Sequence, residues 1–152
     1  GIQLAEGSGE LRLQSSDPKE QPFLDYRYLQ NEFDRQRLRE TLRICVALGN
    51  DPAFKDIIEE RIEPTDEELS SDEAIDEYLY REVTTQQHIS CTNKMGPSTD
   101  PMAVVDQYGK VHGLEGLRVA DASIMPNCVR ANTNVTTMMI GERVADWIKQ
   151  GK

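Results

Sequence analysis

Three stretches of the chain carry apolar residues at the three- and four-residue spacing that is typical of one face of a helix. The first covers residues 32–48 and ends at Gly49, where a helix C-cap is expected. The second covers residues 71–83, and the third opens at residues 132–134 and runs to about Lys149. The positions expected on the buried face of the second helix are Ile75, Leu79 and Val83.

Shorter patterns lie between these stretches. Apolar and polar residues alternate around Leu11 and Leu13, which predicts a half-buried strand that ends before Pro18. Residues 52–62 favour a short additional helix, and residues 117–121 favour a short strand that ends in a carboxylate. The second half of the chain is otherwise loop-like in composition.

The charge of the chain is strongly negative and unevenly distributed. The 152 residues carry a formal net charge of −10. Residues 51–82 contain 13 acidic and 3 basic side chains, so this one segment accounts for the whole excess. We interpret it as a solvated helical surface rather than as an acidic recognition tail. Because phosphate binding needs a basic face, nucleic acid is not expected among the partners.

The sequence also bears on the compartment. No apolar stretch reaches 18 residues, so no membrane span is expected, and the N-terminus shows no signal-peptide pattern. The chain starts at Gly1 without a methionine, which indicates a piece of something longer. Cys45, Cys91 and Cys128 are an odd number without CxxC spacing. A disulfide framework is therefore not expected, which favours a reducing, cytoplasmic location.

A motif at residues 88–96 is the most specific feature of the chain. It reads His-Ile-Ser-Cys-Thr-Asn-Lys-Met-Gly and resembles the H-x-x-G-T-x-x-M-G segment of the glucose–methanol–choline (GMC) oxidoreductases. The segments that continue the family's C-terminal signature in order are 100–106, 111–126, 132–134 and 139–143. Together they extend over about 60 residues, far more than a short motif that could arise by chance. A weaker similarity to the family's substrate-domain strand covers residues 9–18.

Two departures from the family pattern stand out. Cys91 occupies the motif's glycine position, where a positive φ or a close backbone approach would strain a residue with a side chain. No G-x-G-x-x-G occurs in the chain, so the family's N-terminal half, which holds the ADP part of FAD, is not in this sequence.

The resemblance implies an α+β fold that is the C-terminal part of a two-domain enzyme. Residues 1–99 would belong to the substrate-binding domain, which is built on an antiparallel sheet. Residues 100–152 would supply the last strand and helix of the α/β FAD-binding domain. The expected partner is therefore the chain or segment that carries the N-terminal FAD-binding domain, because the apolar strand and helix need it as a cover.

The resemblance also implies a reaction, the FAD-dependent oxidation of an alcohol to an aldehyde or ketone. His88 matches the family's catalytic base, and imidazole is well suited to take a proton near neutral pH. Asn132 lies 44 positions later, where the family has a paired His or Asn that contacts the substrate oxygen. An amide cannot act as a base, but it can hydrogen-bond a developing alkoxide. The plainer interpretations are a structural histidine and a helix N-cap asparagine.

The expected flavin contacts cluster at two places in the sequence. Asn132, Thr133 and Asn134 gather short polar side chains at a helix start, whose free N–H groups and positive end would favour a negatively charged reduced flavin ring. Asp121 and Ala122 match the family segment that touches the flavin or its ribityl chain. The plainer interpretation of Asp121 is a turn aspartate.

Other functions fit the sequence less well. A metal site formed by His88, Cys91, His112 and Cys128 is disfavoured because it offers one mixed pair and two scattered residues, whereas zinc sites usually contain a CxxC pair, so no metal is expected. His112, between turn residues, is expected to be exposed. A hydroxynitrile-lyase-like enzyme on the same scaffold and a non-catalytic partner fragment are the remaining alternatives. The sequence does not identify the alcohol.

Overall fold

The computed structural model describes residues 1–152, and the chain divides into two units, residues 1–84 and 85–152. The first unit contains an antiparallel pair of strands, β1 (Glu10–Arg12) and β2 (Phe23–Asp25), and the helices α1 (Glu32–Gly49) and α2 (Asp72–Glu82). The second unit contains one helix, α3 (Asn134–Lys149), together with turns and isolated bridges. This is the expected mixture of helix and a small sheet.

Both helices of the first unit begin at side-chain caps. The amide oxygen of Asn31 accepts the N–H of Asp34 at the start of α1, and the hydroxyl of Ser71 accepts the N–H of Ala74 at the start of α2. Such caps satisfy backbone donors that have no partner within the helix. The predicted bounds of both helices are thereby confirmed to within a residue or two.

The core of the first unit lies between α1, α2 and the segment before α1. Leu29, Ile75 and Leu79 are buried there, and Ile75 is fully inaccessible. The residues packed against this cluster are Leu38, Leu42, Leu69, Tyr78 and Val83. The predicted buried face of the second helix is therefore confirmed.

Ion pairs connect α1 to α2 beside this core. The buried guanidinium of Arg39 lies 2.6 Å from the carboxylate of Glu32 and 2.9 Å from those of Asp72 and Asp76. Part of the acidic segment thus faces the arginines of α1 rather than solvent alone. A buried guanidinium needs such partners because isolated charge is costly away from water.

Two predicted elements are wrong. Residues 52–62 form only the 3₁₀ turn Pro52–Phe54 where a helix was expected, and every apolar side chain from 53 to 58 is exposed, so no buried face holds a helix together. Residues 117–121 contribute a single bridge, between Lys110 and Arg118, instead of a strand.

The second unit has its own buried residues, Val105, Ile124, Met125 and Val144. The helix α3 packs against a 3₁₀ turn, Ala122–Ile124, and Trp147 meets Tyr108 edge to face with ring centroids 5.3 Å apart. None of the three helices is both long enough and apolar enough to cross a bilayer.

Candidate active site

The motif segment is held in place by the turn that precedes the α3 region. The N–H groups of Cys91, Asn93 and Met95 donate to the carbonyl oxygens of Ala122, Ser123 and Ile124 at 3.2, 2.9 and 2.9 Å. The side-chain amide of Asn93 also donates to the hydroxyl of Ser123 at 2.9 Å. These bonds fix the register of the whole motif against residues 122–124, although the two segments lie about thirty positions apart.

Cys91 adopts the backbone conformation that its glycine-like position suggested. Its φ is +71°, in the left-handed region that residues with a Cβ rarely occupy. Its N–H makes one of the three hydrogen bonds to residues 122–124, and this bond holds Cys91 in this conformation. The positive φ under which a side chain would be strained is therefore present at Cys91.

His88 contacts the start of α3. Its Nδ1 atom lies 3.1 Å from the hydroxyl oxygen of Thr133, and the ring is half-buried. Thr133 itself is buried, with 8% of its surface exposed. The structure thus brings His88 to the residue directly after Asn132, across 45 positions of sequence.

The N-terminus of α3 differs from those of α1 and α2. Thr133 is its N-cap residue, but its backbone is helical, with φ −73° and ψ −16°, and no side chain caps the helix. The Thr133 carbonyl accepts both the N–H and the hydroxyl of Thr137, at 2.9 and 2.8 Å. The donors of the first turn are therefore available to a partner outside the helix.

The other predicted site residues lie around this helix start and the preceding turn. Asn132 and Asn134 are exposed. Asp121 is exposed too, and one of its oxygens accepts the N–H of Ser123 at 2.8 Å, which is the contact of a turn aspartate. Ala122 is half-buried and uses its carbonyl to hold Cys91. The roles of these residues toward a cofactor stay predictions.

Two features escaped the sequence reasoning. Thr133, whose expected contact is with the cofactor, also bonds His88 through its hydroxyl. His112, expected to be exposed, is half-buried, and its Nε2 lies 3.0 Å from the carbonyl oxygen of Gly96. Both contacts join residues far apart in sequence, and no local pattern signals them.

The chain also places a charged pair beside the motif. The ammonium of Lys94 donates to Asp100 at 2.7 Å, and the N–H of Met102 donates to the same carboxylate at 2.9 Å. These bonds, that of Lys94 first, hold the pKa of Asp100 below its usual value. No three His, Cys, Asp or Glu side chains cluster in a way that could hold a metal ion.

Known proteins resemble the chain along almost its whole length. The GMC oxidoreductase family model, in its C-terminal part, matches residues 5–141. An oxygen-dependent choline dehydrogenase of Stenotrophomonas maltophilia is 40% identical over 149 residues, which is 98% of this chain and 26% of that protein.

Solved structures agree with this match. A formate oxidase of Aspergillus oryzae, studied for its FAD modification, superimposes with a TM-score of 0.88 and 31% identity over 97% of this chain and 25% of its own. Pyridoxine 4-oxidase from Mesorbium loti gives a TM-score of 0.83 and 30% identity over 93% of this chain and 27% of its own. The chain thus spans about a quarter of the length of these relatives. It belongs to the GMC oxidoreductase family and corresponds to the C-terminal portion of the family's proteins.

Proposed function

We propose that the full-length protein oxidises an alcohol to an aldehyde or ketone with FAD, and that this chain supplies the base and the oxygen-binding amide. The observation that carries the proposal is the contact between His88 Nδ1 and the Thr133 hydroxyl, 3.1 Å apart. The contact joins an imidazole to the residue that follows Asn132, at a helix start that no side chain caps. Relatives that are named as a choline dehydrogenase and an aryl-alcohol oxidase support the reaction class.

The helix start suits the flavin. A bound FAD would supply the acceptor for the hydride of the alcohol carbon, and its ring would carry negative charge once reduced. Free N–H groups and the positive end of a helix stabilise a nearby anion. The first turn of α3 offers such donors, and Asn132, Thr133 and Asn134 add no charge of their own. Asp121 and Ala122 are proposed to contact the same cofactor.

His88 is proposed as the base. Its Nδ1 is engaged with Thr133, and the chain provides no hydrogen-bond partner for its Nε2. Nε2 is therefore the nitrogen that can accept the proton of a substrate hydroxyl. A positioned histidine contributes about 10²- to 10⁴-fold to such a step.

Asn132 is proposed to orient the same oxygen. It is exposed and directly precedes Thr133, the residue that His88 contacts, so its side-chain amide is available to a ligand. Its N–H donors can bind the oxygen while negative charge develops on it. In this arrangement the imidazole of His88 takes the proton, and the amide of Asn132 binds the oxygen.

The remainder of the enzyme is proposed to cover the exposed apolar face of α3. Val135, Met138 and Met139 are 71%, 57% and 54% exposed, and they lie three and four positions apart on one side of the helix. Large apolar side chains grouped in this way usually mark a contact surface. The N-terminal FAD-binding segment is the proposed cover, with residues 1–99 in the substrate domain and residues 100–152 completing the flavin domain.

The test is anaerobic reduction of the flavin in the full-length protein. Choline is the first alcohol to try because the curated relatives are choline dehydrogenases, and aromatic alcohols follow. We expect the alcohol to bleach the flavin, and His88→Ala to slow this at least about a hundredfold. His112→Gln, at the chain's other histidine, is the matched control and should retain the rate.

The outcomes separate the alternatives. Reduction of His88→Ala at the normal rate would exclude the assigned base. A flavin that no alcohol bleaches, in a protein that cleaves a cyanohydrin, would indicate the lyase instead. A full-length protein that holds no flavin would indicate a non-catalytic relative.

A further inference from the structure

The hydroxyl of Thr133 is the one hydrogen-bond partner that the chain provides for the His88 ring. We propose that Thr133 is a positioning residue for the base, holding the imidazole in the tautomer and orientation in which Nε2 can accept the substrate proton. This inference rests on the proposed function. It assigns to Thr133 a role different from that of a cofactor contact or a helix cap.

The local backbone diverts this hydroxyl from its ordinary use. An N-cap threonine normally has an extended backbone, and its hydroxyl accepts an N–H of the first turn. Thr133 instead has helical φ and ψ, and no side-chain cap bond forms. Its hydroxyl is turned to His88 Nδ1, at 3.1 Å. The chain thus leaves one helix start without a cap while making this contact.

The tautomer follows from the donor and acceptor roles. A neutral imidazole carries one proton, so one ring nitrogen donates and the other accepts. When Nδ1–H donates to the Thr133 oxygen, Nε2 has its lone pair and can take a proton. The substrate's O–H bond then breaks, its electron pair stays on oxygen, and the proton bonds to Nε2. The Nδ1–H bond to Thr133 persists, and the hydroxyl adds no negative charge to the site.

Thr133 is held firmly enough to orient its partner. It is 8% exposed, and the backbone N–H of Thr137 donates to its carbonyl oxygen at 2.9 Å. A β-branched side chain also has few χ1 rotamers available to it. Thr133 directly follows Asn132, so the residue that holds the imidazole is joined by one peptide bond to the residue proposed to bind the substrate oxygen. Groups that hold a working imidazole in this way matter about 10- to 100-fold in metal sites, and we take that range as the expectation here.

The test compares substitutions at Thr133 in the full-length, FAD-loaded protein. Thr133→Val keeps the shape and removes the hydroxyl, and Thr133→Ser keeps the hydroxyl. Thr137→Val is the matched control, since it removes another hydroxyl of the same helix turn, one that does not touch His88, and keeps the backbone N–H that donates to Thr133. We expect Thr133→Val to slow anaerobic flavin reduction by about 10- to 100-fold with little change in the dissociation constant of the alcohol. Thr133→Ser and Thr137→Val should stay within a few-fold of the unsubstituted protein.

A crystal structure of Thr133→Val supplies a readout besides the rate, and should show the His88 ring turned from its position. The inference would be overturned if Thr133→Ser and Thr133→Val slow flavin reduction to the same extent. It would also be overturned if Thr133→Val leaves the rate unchanged. If His88→Ala remains slow in the same preparation, the proposed function survives that result. If Thr133→Val does not fold, Thr133→Ala takes its place, and equal rates for Ala and Ser would overturn the inference.

Discussion

Replacing Cys91 with glycine should tighten the motif segment around the site. Cys91 has a φ of +71°, and its N–H donates to Ala122 at 3.2 Å as the first of three bonds to the 122–124 turn. A non-glycine residue in the left-handed region costs about 1–2 kcal/mol. Glycine removes that cost but loses about 0.5–1 kcal/mol through its greater freedom in the unfolded chain.

The thiol must be separated from the backbone effect. The Sγ atom of Cys91 lies 3.4 Å from the hydroxyl of Ser90, a weak contact that both glycine and alanine remove. Cys91→Ala is therefore the reference, because it keeps the backbone cost and loses the thiol. The midpoints of the two ranges predict that glycine stabilises the segment by roughly 0.75 kcal/mol relative to alanine.

Amide hydrogen exchange measures this difference locally in the full-length protein. The N–H groups of Asn93 and Met95 bond to the same turn and are present in both variants. Their protection should be about two- to fivefold greater with glycine than with alanine, if the segment opens as a unit. Equal protection, or greater protection with alanine, would refute the argument that the left-handed backbone at Cys91 strains this segment.

Two further predictions concern the frame of the same unit. Gly109→Ala should destabilise the protein by more than about 1 kcal/mol in denaturant titration, because φ is +76° and an added Cβ would lie 2.6 Å from the carbonyl oxygen of Val119; an unchanged midpoint would contradict this geometry. Asp100→Asn should destabilise the folded protein at pH 7, since the bonds from Lys94 and Met102 lower the pKa of Asp100 and so stabilise the folded state. This stabilisation is present above the pKa of the unfolded state and is lost as the pH falls through the pKa of the folded state. The difference from the unsubstituted protein should therefore shrink steadily below about pH 4, and a difference that grows there would contradict the sign.

The helices were predictable because their signals are local. Apolar spacing located α1, α2 and α3, and Ser71 and Asn31 mark the starts of the helices that they cap. The pattern at 52–62 misled because spacing alone cannot show whether a second surface exists to bury the apolar face. In the structure Ile57 is 80% exposed, so nothing there stabilises a short helix.

The sequence predicted where the charges of the first unit lie, but it did not predict which of them pair. The acidic excess around α2 was visible, and so were the arginines of α1, but their pairing depends on how the two helices pack. Arg39 with Asp72 and Asp76 joins residues more than thirty positions apart. Sequence distance of this kind carries no periodic signal, so the acidic segment was interpreted as a solvated surface.

The candidate site divides in the same way. The motif identified His88, and the family order identified Asn132, yet neither indicated which side chain holds the imidazole. That contact depends on the helical φ and ψ of Thr133, which turn its hydroxyl away from the cap. Backbone conformation at a helix start follows from packing, so a sequence of polar residues there favours a cap just as well.

The central claim is that His88 and Asn132 meet at one substrate oxygen. A crystal structure of the full-length protein with FAD and an unreactive alcohol analogue measures this directly. We predict that His88 Nε2 and the Asn132 amide nitrogen each lie within about 3.2 Å of the analogue's oxygen, beside the start of α3. An analogue bound over the flavin with either side chain directed away from its oxygen would contradict it.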